Sequence, residues 1–438
     1  MKFYGRTEEL KQLKKISETS KDHSQFTVVT GRRRIGKTAL ILKSAEGQRS
    51  VYLFVSRVNQ RLLCQGFQSI LDREGIETAG EMTRFADILK ALMIHSRSEN
   101  ITVIIDEFQD LEYVDKSVFS EIQDVWDRYK DGSRVNLIVC GSVHSMMMRI
   151  FENSKEPLFG RPTAKIVLQP LPVSVMEDVL ADHNPDYTAG DMLTFFMLTG
   201  GIPKYMEVLM DGGAADSESM LRAAVSAGSV FLADGKDIMV SEFGKEYRTY
   251  FSIMQLISAG KTKRSDMEDI LNVEIGQYLK MLEEEYGFVR HISPAFSDSN
   301  SRNTRWVISD MYLRFYFRFI FPSSSLVESG RHDLLLRTIR PSLETYEGKV
   351  LESFFRRRIA EEDSYTYIGS YWNRKGDIEI DIVVIDDIAK TMRFIEVKRN
   401  PAKLDINELV EKVKSLASHA DGYAVSNEGL TLDDVRRP

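Results

Sequence analysis

Hydrophobic residues in the first 170 positions fall into two kinds of run. Amphipathic stretches of helical spacing separate short runs rich in β-branched residues, at positions 26–30, 50–55, 101–106, 135–140 and 164–168. Short apolar runs of this kind predict buried strands, and strands that alternate with helices predict a parallel sheet. We therefore predict an α/β domain over residues 1–170, with a parallel sheet between layers of helices.

The pattern changes after position 170. Between 172 and 240 no run is typical of a strand, and the apolar residues recur at helical spacing. Three further helical segments precede a predicted hairpin, whose strands at 287–292 and 304–308 flank a polar tip at 297–301. Three helices followed by a hairpin are typical of a winged helix. We predict a helical domain over 171–242, a winged-helix domain over 243–322 and a linker after it.

The C-terminal segment predicts a separate α/β domain over 340–438. Its elements follow in the order helix, three strands, helix and strand, at 342–360, 365–370, 377–385, 392–397, 405–418 and 422–426. Side chains alternate along a strand, so Asp381 faces away from Ile380, and Glu396 and Lys398 share one face of the next strand. A short turn joins these two strands, and we expect Asp381 and Glu396 to be neighbours.

Length and composition fit a globular protein of several domains. The chain has 438 residues, of which 43% are hydrophobic and 28% charged, and this length suggests two or three domains. Cys64 and Cys140 suit neither a disulfide framework nor a zinc cluster. We find no signal sequence and no apolar run near the ~20 residues of a membrane helix. We expect a cytoplasmic protein without a membrane partner, whose net charge of −7 allows only local basic patches.

The segment Gly-Arg-Arg-Arg-Ile-Gly-Lys-Thr at 31–38 fits the phosphate-loop pattern G-x-x-x-x-G-K-[ST] at every fixed position. A β-rich run precedes it and an apolar helix start follows it, which is the context that the motif requires. Backbone N–H groups of such a loop surround the phosphates of a nucleoside triphosphate, the lysine contacts its β- and γ-phosphates, and the hydroxyl ligates Mg²⁺. The predicted binding residues are Gly31, Arg34, Gly36, Lys37, Thr38 and Ala39.

Two carboxylates follow the apolar run at 101–105. Asp106 is expected to hold Mg²⁺ through water, and Glu107 to polarise the attacking water, because phosphoryl transfer depends on a positioned nucleophile. A further apolar run, at 136–140, is followed by Gly141 and Ser142. Ser142 is a candidate sensor of the γ-phosphate, and an ordinary strand end of small residues is the alternative. Together with the loop, these residues predict nucleotide hydrolysis.

Asp381 and Glu396 are candidate metal ligands in the C-terminal domain. Two carboxylates on adjacent strands can chelate Mg²⁺, and Lys398 can orient water and stabilise the negative charge that develops on a phosphate. Glu352 on the preceding helix is the expected further member of this site, with Glu347 as its rival. The alternative is a half-exposed strand on which apolar and charged residues simply alternate.

Residues 1–320 resemble the STAND and AAA+-related ATPases known as archaeal-type ATPases. The resemblance rests on Phe-Tyr-Gly-Arg-Thr-Glu-Glu-Leu at 3–10, the phosphate loop, Ile-Asp-Glu-Phe-Gln at 105–109, Cys-Gly-Ser at 140–142, Phe-Gly-Arg at 159–161 and Gly-Gly-Ile-Pro-Lys-Tyr at 200–205. It implies an ASCE P-loop domain that is followed by a helical lid and a winged helix. It also implies that the nucleotide is ATP.

The same resemblance implies site residues outside the loop. Ile202 and Pro203 would lie beside the adenine, and the segment with Tyr4 and Arg6 would cap its other side. Arg161 resembles an arginine that reaches the γ-phosphate in trans or through domain rotation. The alternative for Arg161 is a salt bridge after a tight glycine turn. An action in trans would require a homo-oligomer through the ATPase domain.

Residues 340–438 resemble the PD-(D/E)XK nuclease fold, which is often fused to these ATPases as a domain of unknown function. Asp381, Glu396 and Lys398 match its motif, and the resemblance implies a restriction-endonuclease-like domain with DNA as partner. Two functions follow from this resemblance. One is an ATP-gated, metal-dependent nuclease, and the other is a nucleotide-driven switch whose C-terminal domain binds nucleic acid or a protein without cleavage.

Overall fold

The structure is a computed structural model that describes residues 1–78, 80–243, 247–298, 303–361 and 365–436. The chain divides into two compact units, one of Gly5–Gln169 and the other of Met1–Tyr4 with Pro170–Pro438. Part of the predicted hairpin tip, residues 299–301, lies outside the described ranges. No helix in these ranges has the length and apolar character needed to cross a membrane.

The unit of residues 5–169 alternates helices with strands, as predicted. Its strands are β1 (Gln25–Thr30), β2 (Ser50–Phe54), β3 (Ile101–Asp106), β4 (Val135–Cys140) and β5 (Ala164–Val167). Its helices are α1 (Thr7–Ser20), α2 (Lys37–Ala45), α3 (Gln60–Arg73), α4 (Phe85–His95), α5 (Leu111–Val114), α6 (Val118–Tyr129) and α7 (His144–Glu152). The bounds of the strands agree closely with the apolar runs of the sequence.

The five strands form a parallel sheet in the order β2-β3-β4-β1-β5. Every residue of β3 and β4 is buried, because helices cover a parallel sheet on both faces. The carboxyl ends of parallel strands meet at one edge of the sheet. This edge therefore carries the phosphate loop after β1, the carboxylates at the end of β3 and Ser142 after β4.

The second unit begins with helices, again as predicted for 172–240. These are α8 (Val173–His183), α9 (Ala189–Thr199), α10 (Pro203–Asp211), α11 (Ser217–Val225) and α12 (Val230–Phe243). The following elements are α13 (Tyr247–Ser258), α14 (Arg264–Leu271), α15 (Gly276–Lys280), β6 (Val289–Ile292) and β7 (Arg305–Ile308). Strands β6 and β7 pair antiparallel, so the predicted order of three helices and a hairpin is present.

Helices continue through the stretch that was predicted as a linker. Helix α16 (Met311–Phe315) lies before this stretch, and the helices within it are α17 (Ser324–Glu328) and the start of α18 (His332–Ile359). Helix α18 begins ahead of position 340, because the buried side chains of Leu335, Leu336 and Ile339 continue its apolar face upstream. The helix predicted at 342–360 therefore starts earlier in the structure, at His332.

The C-terminal sheet has four strands and mixed direction. Its elements are β8 (Tyr367–Trp372), β9 (Glu379–Asp386), β10 (Thr391–Lys398), α19 (Ile406–Lys414) and β11 (Ala424–Thr431). The strand order is β11-β10-β9-β8, in which β9 is antiparallel to both neighbours and β10 is parallel to β11. A small core that includes Ile380, Phe394 and Leu409 lies between the sheet and α19. The order of these elements is the predicted one.

Candidate active site

The phosphate loop adopts a backbone that few residues other than glycine tolerate. Gly31, Arg34 and Gly36 have φ angles of 139°, 69° and 90°. A Cβ on Gly31 would lie 2.8 Å from the carbonyl oxygen of Leu168, so this position has no room for a side chain. Backbones with such left-handed residues form concave nests of N–H groups that bind anions. The loop leads directly into α2, whose N-terminus starts at Lys37.

Lys37 is buried against the loop that it closes. Its Nζ donates hydrogen bonds to the carbonyl oxygens of Gly31, at 2.8 Å, and Arg32, at 3.0 Å. These contacts hold the ammonium group of Lys37 next to the backbone carbonyls of the phosphate loop. His144, at the start of α7, lies close enough for burial and the charges of Arg32 and Lys37 to lower its pKa. Sequence analysis did not identify His144, which lies two residues after the Cys-Gly-Ser motif at 140–142.

Asp106 is the centre of the hydrogen-bond network at this edge. Its Oδ2 accepts hydrogen bonds from the Thr38 hydroxyl and the Tyr52 hydroxyl, each at 2.8 Å. Its Oδ1 accepts from the backbone N–H of Glu107, at 2.9 Å, and from the Cys140 thiol, at 3.1 Å. A hydroxyl and a carboxylate oxygen therefore converge, and this donor set fits Mg²⁺.

Tyr52 and Cys140 were not predicted as site residues. Burial and the neighbouring Asp106 raise the pKa of the Tyr52 phenol, and they also raise the pKa of the Cys140 thiol. Both groups therefore stay protonated near neutral pH and act as hydrogen-bond donors. The register of β3 with β2 and β4 brings them to Asp106, and this information lies outside any local motif.

Glu107 and Ser142 are hydrogen-bonded to each other. The Ser142 hydroxyl donates to Glu107 Oε2 at 2.7 Å, and Gln109 Nε2 donates to the same oxygen at 2.6 Å. Glu107 has a φ of 54°, a left-handed conformation that costs about 1–2 kcal/mol for a residue with a side chain. The fold thus holds this carboxylate in a strained and fixed position.

Arg161 lies away from the phosphate loop. Its guanidinium contacts Asp127 Oδ2 at 3.2 Å, and Gly160, the residue before it, has a φ of 71°. Thr163 N donates to the carbonyl oxygen of Phe26, so Arg161 lies at the amino end of β1. The loop follows the carboxyl end of this six-residue strand, which is ~20 Å away. Within this unit Arg161 therefore forms the predicted alternative, a salt bridge, and does not reach the loop in cis.

The residues predicted around the adenine are divided between the two units: Arg6 belongs to the unit of residues 5–169, and Tyr4, Ile202 and Pro203 belong to the other. Arg6 is buried and donates to the carbonyl oxygen of Ile35 in the phosphate loop, at 3.2 Å. Tyr4 donates to Asp182, at 2.8 Å. Ile202 is buried just before α10, and Pro203 is the first residue of that helix. Their contact with an adenine stays a prediction.

The C-terminal candidates come together on adjacent strands. Asp381 Oδ2 accepts a hydrogen bond from the Val397 N–H at 2.8 Å, and Lys398 Nζ lies 3.8 Å from the same oxygen. Lys398 Nζ also donates to Glu396 Oε1 at 2.5 Å. Lys412 on α19, which sequence analysis missed, lies 3.5 Å from that oxygen. Nothing in the local pattern of α19 distinguishes this lysine from an ordinary surface residue.

Burial and charge act strongly on Asp381. Burial, then the nearby charges of Glu352 and Glu396, raise the pKa of Asp381 to about 7, although the Val397 hydrogen bond and Lys398 act in the opposite direction. Because the charge of Glu352 acts on Asp381, Glu352 lies near this site. Glu347 instead pairs with Arg399 at 2.7 Å.

The buried Glu396 gives one observation that fits a cation. Its Oε2 has no hydrogen-bond partner among the described residues, so a metal ion at this place would satisfy it. In the same ranges, no group of three or more His, Cys, Asp and Glu side chains is arranged to hold a metal ion.

Three consecutive arginines at the end of α18 contact three different segments. Arg356 donates to the Asp381 carbonyl oxygen at 2.9 Å, and Arg357 donates to the Gly200 carbonyl oxygen at 2.6 Å. Arg358 contacts Glu177 on α8 and the carbonyl oxygen of Val435. The helix that opens the C-terminal domain is thus bonded to the C-terminal sheet and to the segment before α10.

Comparisons with known proteins match two parts of the chain. Residues 3–209 match the family described as an ATPase domain predominantly from Archaea, and residues 316–409 match one described as "Archaea bacterial proteins of unknown function". An uncharacterized protein of Methanocaldococcus jannaschii is 29% identical over 414 residues, 90% of this chain and 87% of that protein.

A solved structure supports the fold. The Walker-type ATPase of Pyrococcus abyssi aligns with a TM-score of 0.54 and 16% identity, over 72% of this chain and 96% of its own. At this identity the likeness concerns the fold alone. The match of residues 3–209 to a P-loop ATPase family implies that ATP is bound and hydrolysed.

Proposed function

We propose that the archaeal-type ATPase domain carried by residues 3–209 hydrolyses ATP with Mg²⁺ and controls a C-terminal site that acts on DNA. The observation that carries the ATPase part is the 2.8 Å hydrogen bond between the Thr38 hydroxyl and Asp106. It joins the end of the phosphate loop to the end of β3, and these are the two groups that would share a magnesium ion.

Each residue of this edge has a proposed role. The loop N–H groups bind phosphate oxygens, and Lys37 neutralises the charge of the β- and γ-phosphates. The Thr38 hydroxyl would ligate Mg²⁺, and Asp106 would hold it through water. Bound Mg²⁺ neutralises negative charge on the phosphates. Glu107 orients the attacking water. The Ser142 hydroxyl holds Glu107 in place through its hydrogen bond, and Ser142 also senses the γ-phosphate.

Further contacts to the nucleotide are proposed from residues outside this edge. Ile202 and Pro203 contact the adenine, and Tyr4 and Arg6 cap its other side. Arg161 acts in trans, on the nucleotide of a second copy of the chain. The exposed fraction of Arg161, 32%, is compatible with such a contact after its salt bridge to Asp127 opens.

We propose a metal-dependent nuclease site at the C-terminal carboxylates. Asp381 and Glu396 would hold Mg²⁺, Lys398 orients water and stabilises the phosphate charge, and the charge of Glu352 acts on Asp381 from α18. The proposal rests on the orphaned Glu396 Oε2 and on Lys398, which lies within 4 Å of both ligands.

A second candidate function is a nucleotide-driven switch that does not cleave. It is favoured by the two lysines, Lys398 and Lys412, that approach Glu396 Oε1. Their charges compensate the carboxylates without a metal ion, as in a purely structural ion-pair cluster. In this case the C-terminal domain binds nucleic acid or a protein.

Cleavage of DNA by the full-length protein separates the two functions. Supercoiled plasmid and single-stranded DNA are incubated with ATP and Mg²⁺, and the products are followed on gels. We expect cleavage by the wild type and by Lys375→Ala, an exposed lysine in the same domain, but not by Lys398→Ala. Equal cleavage by Lys398→Ala and the wild type would contradict the nuclease assignment. No cleavage by any variant, with ATP hydrolysis intact, would favour the switch.

A further inference from the structure

A pocket of about 320 Å³ opens between the β6 side of the hairpin and strand β8 of the C-terminal sheet. Polar groups that line it come from the hairpin, from α18 and from β8: Arg290, Ser293, Ser297, Asp298, Arg356 and Ser370. The Ala295 N–H donates to the Ser370 carbonyl oxygen at 2.8 Å and fixes the two walls relative to each other. The pocket is therefore a defined cavity that both polar and apolar side chains line.

Arg356 lines this pocket and carries an unsatisfied donor. One guanidinium nitrogen donates to Ser370 Oγ at 2.7 Å and to the Asp381 carbonyl oxygen at 2.9 Å, which fixes the orientation of the side chain. Its Nε is buried and has no hydrogen-bond partner among the described residues. A buried donor without a partner favours the binding of an acceptor. The planar guanidinium matches the oxygens of a phosphate group.

The charges around the pocket also favour an anion. Its described lining carries two arginines, Arg290 and Arg356, against a single aspartate, Asp298. Arg290 is an exposed residue of β6, and desolvation of its guanidinium by neighbouring groups, followed by the charge of Arg314, lowers its pKa. The charges of Arg290 and Arg314 also act on the guanidinium of Arg356. A bound anion would relieve the repulsion among these three arginines.

We propose that this pocket binds a phosphate group of a nucleic-acid backbone. Arg290 and Arg356 contact its oxygens, and the serine hydroxyls complete the hydrogen bonds. Arg356 and Ser370 also bond the carbonyl of Asp381, so the bound backbone lies next to the strand of the candidate nuclease site. The inference rests on the DNA-acting part of the proposed function, and it adds a contact that spans the hairpin and the C-terminal sheet.

Binding of labelled oligonucleotides to the full-length protein tests the pocket. Fluorescence anisotropy is measured with a fluorescein-labelled single strand and with its duplex, over a series of salt concentrations. Arg290→Ala should weaken binding about 5- to 10-fold and lower the salt slope by about 0.7 to 0.9, the loss of one phosphate contact. Arg290→Lys should recover part of the affinity. The matched control is Arg248→Ala, an exposed arginine on α13 that does not line the pocket.

Several outcomes overturn the inference. Equal affinities for Arg290→Ala and Arg248→Ala overturn it, as does an absence of nucleic-acid binding by the wild type. Calorimetry with inorganic phosphate is the second arm. If Arg290→Ala loses inorganic phosphate but keeps oligonucleotide affinity, the pocket takes a small free anion and the proposal fails. Arg356→Ala is measured too, with a melting curve because this residue also anchors Asp381.

Failure of this inference differs from failure of the proposed function. If the protein binds oligonucleotides through Arg290 without cutting them, the nuclease assignment fails and the pocket stands. If Arg290→Ala cleaves and binds DNA as the wild type does, the pocket fails and the nuclease assignment stands. The rate of ATP hydrolysis without DNA should be the same in the wild type, Arg290→Ala and Arg248→Ala.

Discussion

The carboxylates at the end of β3 and those on β9 and β10 are compensated by different groups. Asp106 accepts hydrogen bonds from two hydroxyls, a thiol and a backbone N–H, none of which carries a charge. Asp381 and Glu396 instead face the ammonium groups of Lys398 and Lys412. Neutral donors orient a carboxylate and leave its charge available to a cation, whereas lysines compensate that charge directly.

This difference has a consequence for the two chemistries. At β3 a magnesium ion adds to a carboxylate that is already oriented. At β9 and β10 a metal ion must compete with ammonium groups and remove the proton that a raised pKa favours on Asp381. We therefore expect Mg²⁺ to bind more tightly at the phosphate loop than at the C-terminal carboxylates, and the predictions below test this contrast.

The largest effect is expected at the phosphate loop. Lys37→Ala should abolish ATP hydrolysis and weaken nucleotide binding, because the buried ammonium group among the loop carbonyls is lost. Glu107→Gln should lower turnover by about 10²- to 10³-fold with binding intact, because the loop remains and the water is no longer activated. Phosphate release and a fluorescent ATP analogue measure the two properties. Turnover of Glu107→Gln at the wild-type rate would contradict the role of Glu107.

The second prediction tests whether the β3 site is complete within one chain. Arg161→Ala should lower ATP hydrolysis by about 10-fold or more without a change in nucleotide affinity, if this arginine acts in trans. A mixture of Arg161→Ala and Lys37→Ala proteins should then recover part of the activity, since one mixed interface is competent. Sedimentation measures the oligomeric state. A monomer whose mixtures show no recovery would leave Arg161 with its salt bridge to Asp127 as its role.

The third prediction concerns pH and metal at Asp381. Its pKa lies above the ordinary 3.8, so the folded state binds the extra proton and the free energy of unfolding falls as the pH rises towards 7. Asp381→Asn should therefore stabilise the full-length protein at pH 8, on the order of 3 kcal/mol, and by little at pH 4. Mg²⁺ or Mn²⁺ should raise the Tm of the wild type at pH 8 but not of Asp381→Asn.

The matched control for this third prediction is Asp377→Asn, at the exposed turn before β9. It should follow the wild type in both pH and metal dependence. A wild type that shows no metal effect at pH 8 would contradict metal binding at Asp381 and identify the lysines as sufficient partners of the carboxylates.

The smallest expected effect is at Tyr52. Tyr52→Phe removes one of the hydrogen bonds to Asp106 and keeps the ring, so the free energy of unfolding should fall by about 0.5–1.5 kcal/mol. The affinity for Mg²⁺ with ATP should change by a few-fold, because Thr38 still orients the carboxylate. Thermal melting and magnesium titration measure both. Tyr129→Phe, a tyrosine on α6 outside this network, is the control.

The fold of the first unit could be predicted from the sequence because its strands are coded locally. Each buried strand is a short β-branched run, and β1 and β4 are followed by the glycines Gly31 and Gly141. The start of α18 was missed for a similar local reason. Pro341 lies inside this helix. In a sequence alone, a proline predicts a helix boundary, because the packing that keeps the preceding turn helical is not visible.

The site residues divide in the same way. Spacing along the chain was enough to find Lys37, Thr38 and Asp106, since the motif requires them next to a strand end. Tyr52 and Lys412 reach their carboxylates only through the pairing of strands and the packing of a helix. Their side chains are ordinary in their own segments, so no local pattern distinguishes them.

The three arginines at the end of α18 have a consequence for how such chains are assembled. Successive residues of a helix point about 100° apart, which is why Arg356, Arg357 and Arg358 reach the C-terminal sheet, the Gly200 turn and α8. Insertion or deletion of a single residue earlier in this helix would turn Arg357 and Arg358 away from Gly200 and Glu177 at once, whereas Arg356 would rotate together with the sheet that it contacts. We therefore expect an exchange of the C-terminal domain to keep these two contacts only at a junction that preserves the helical phase of α18.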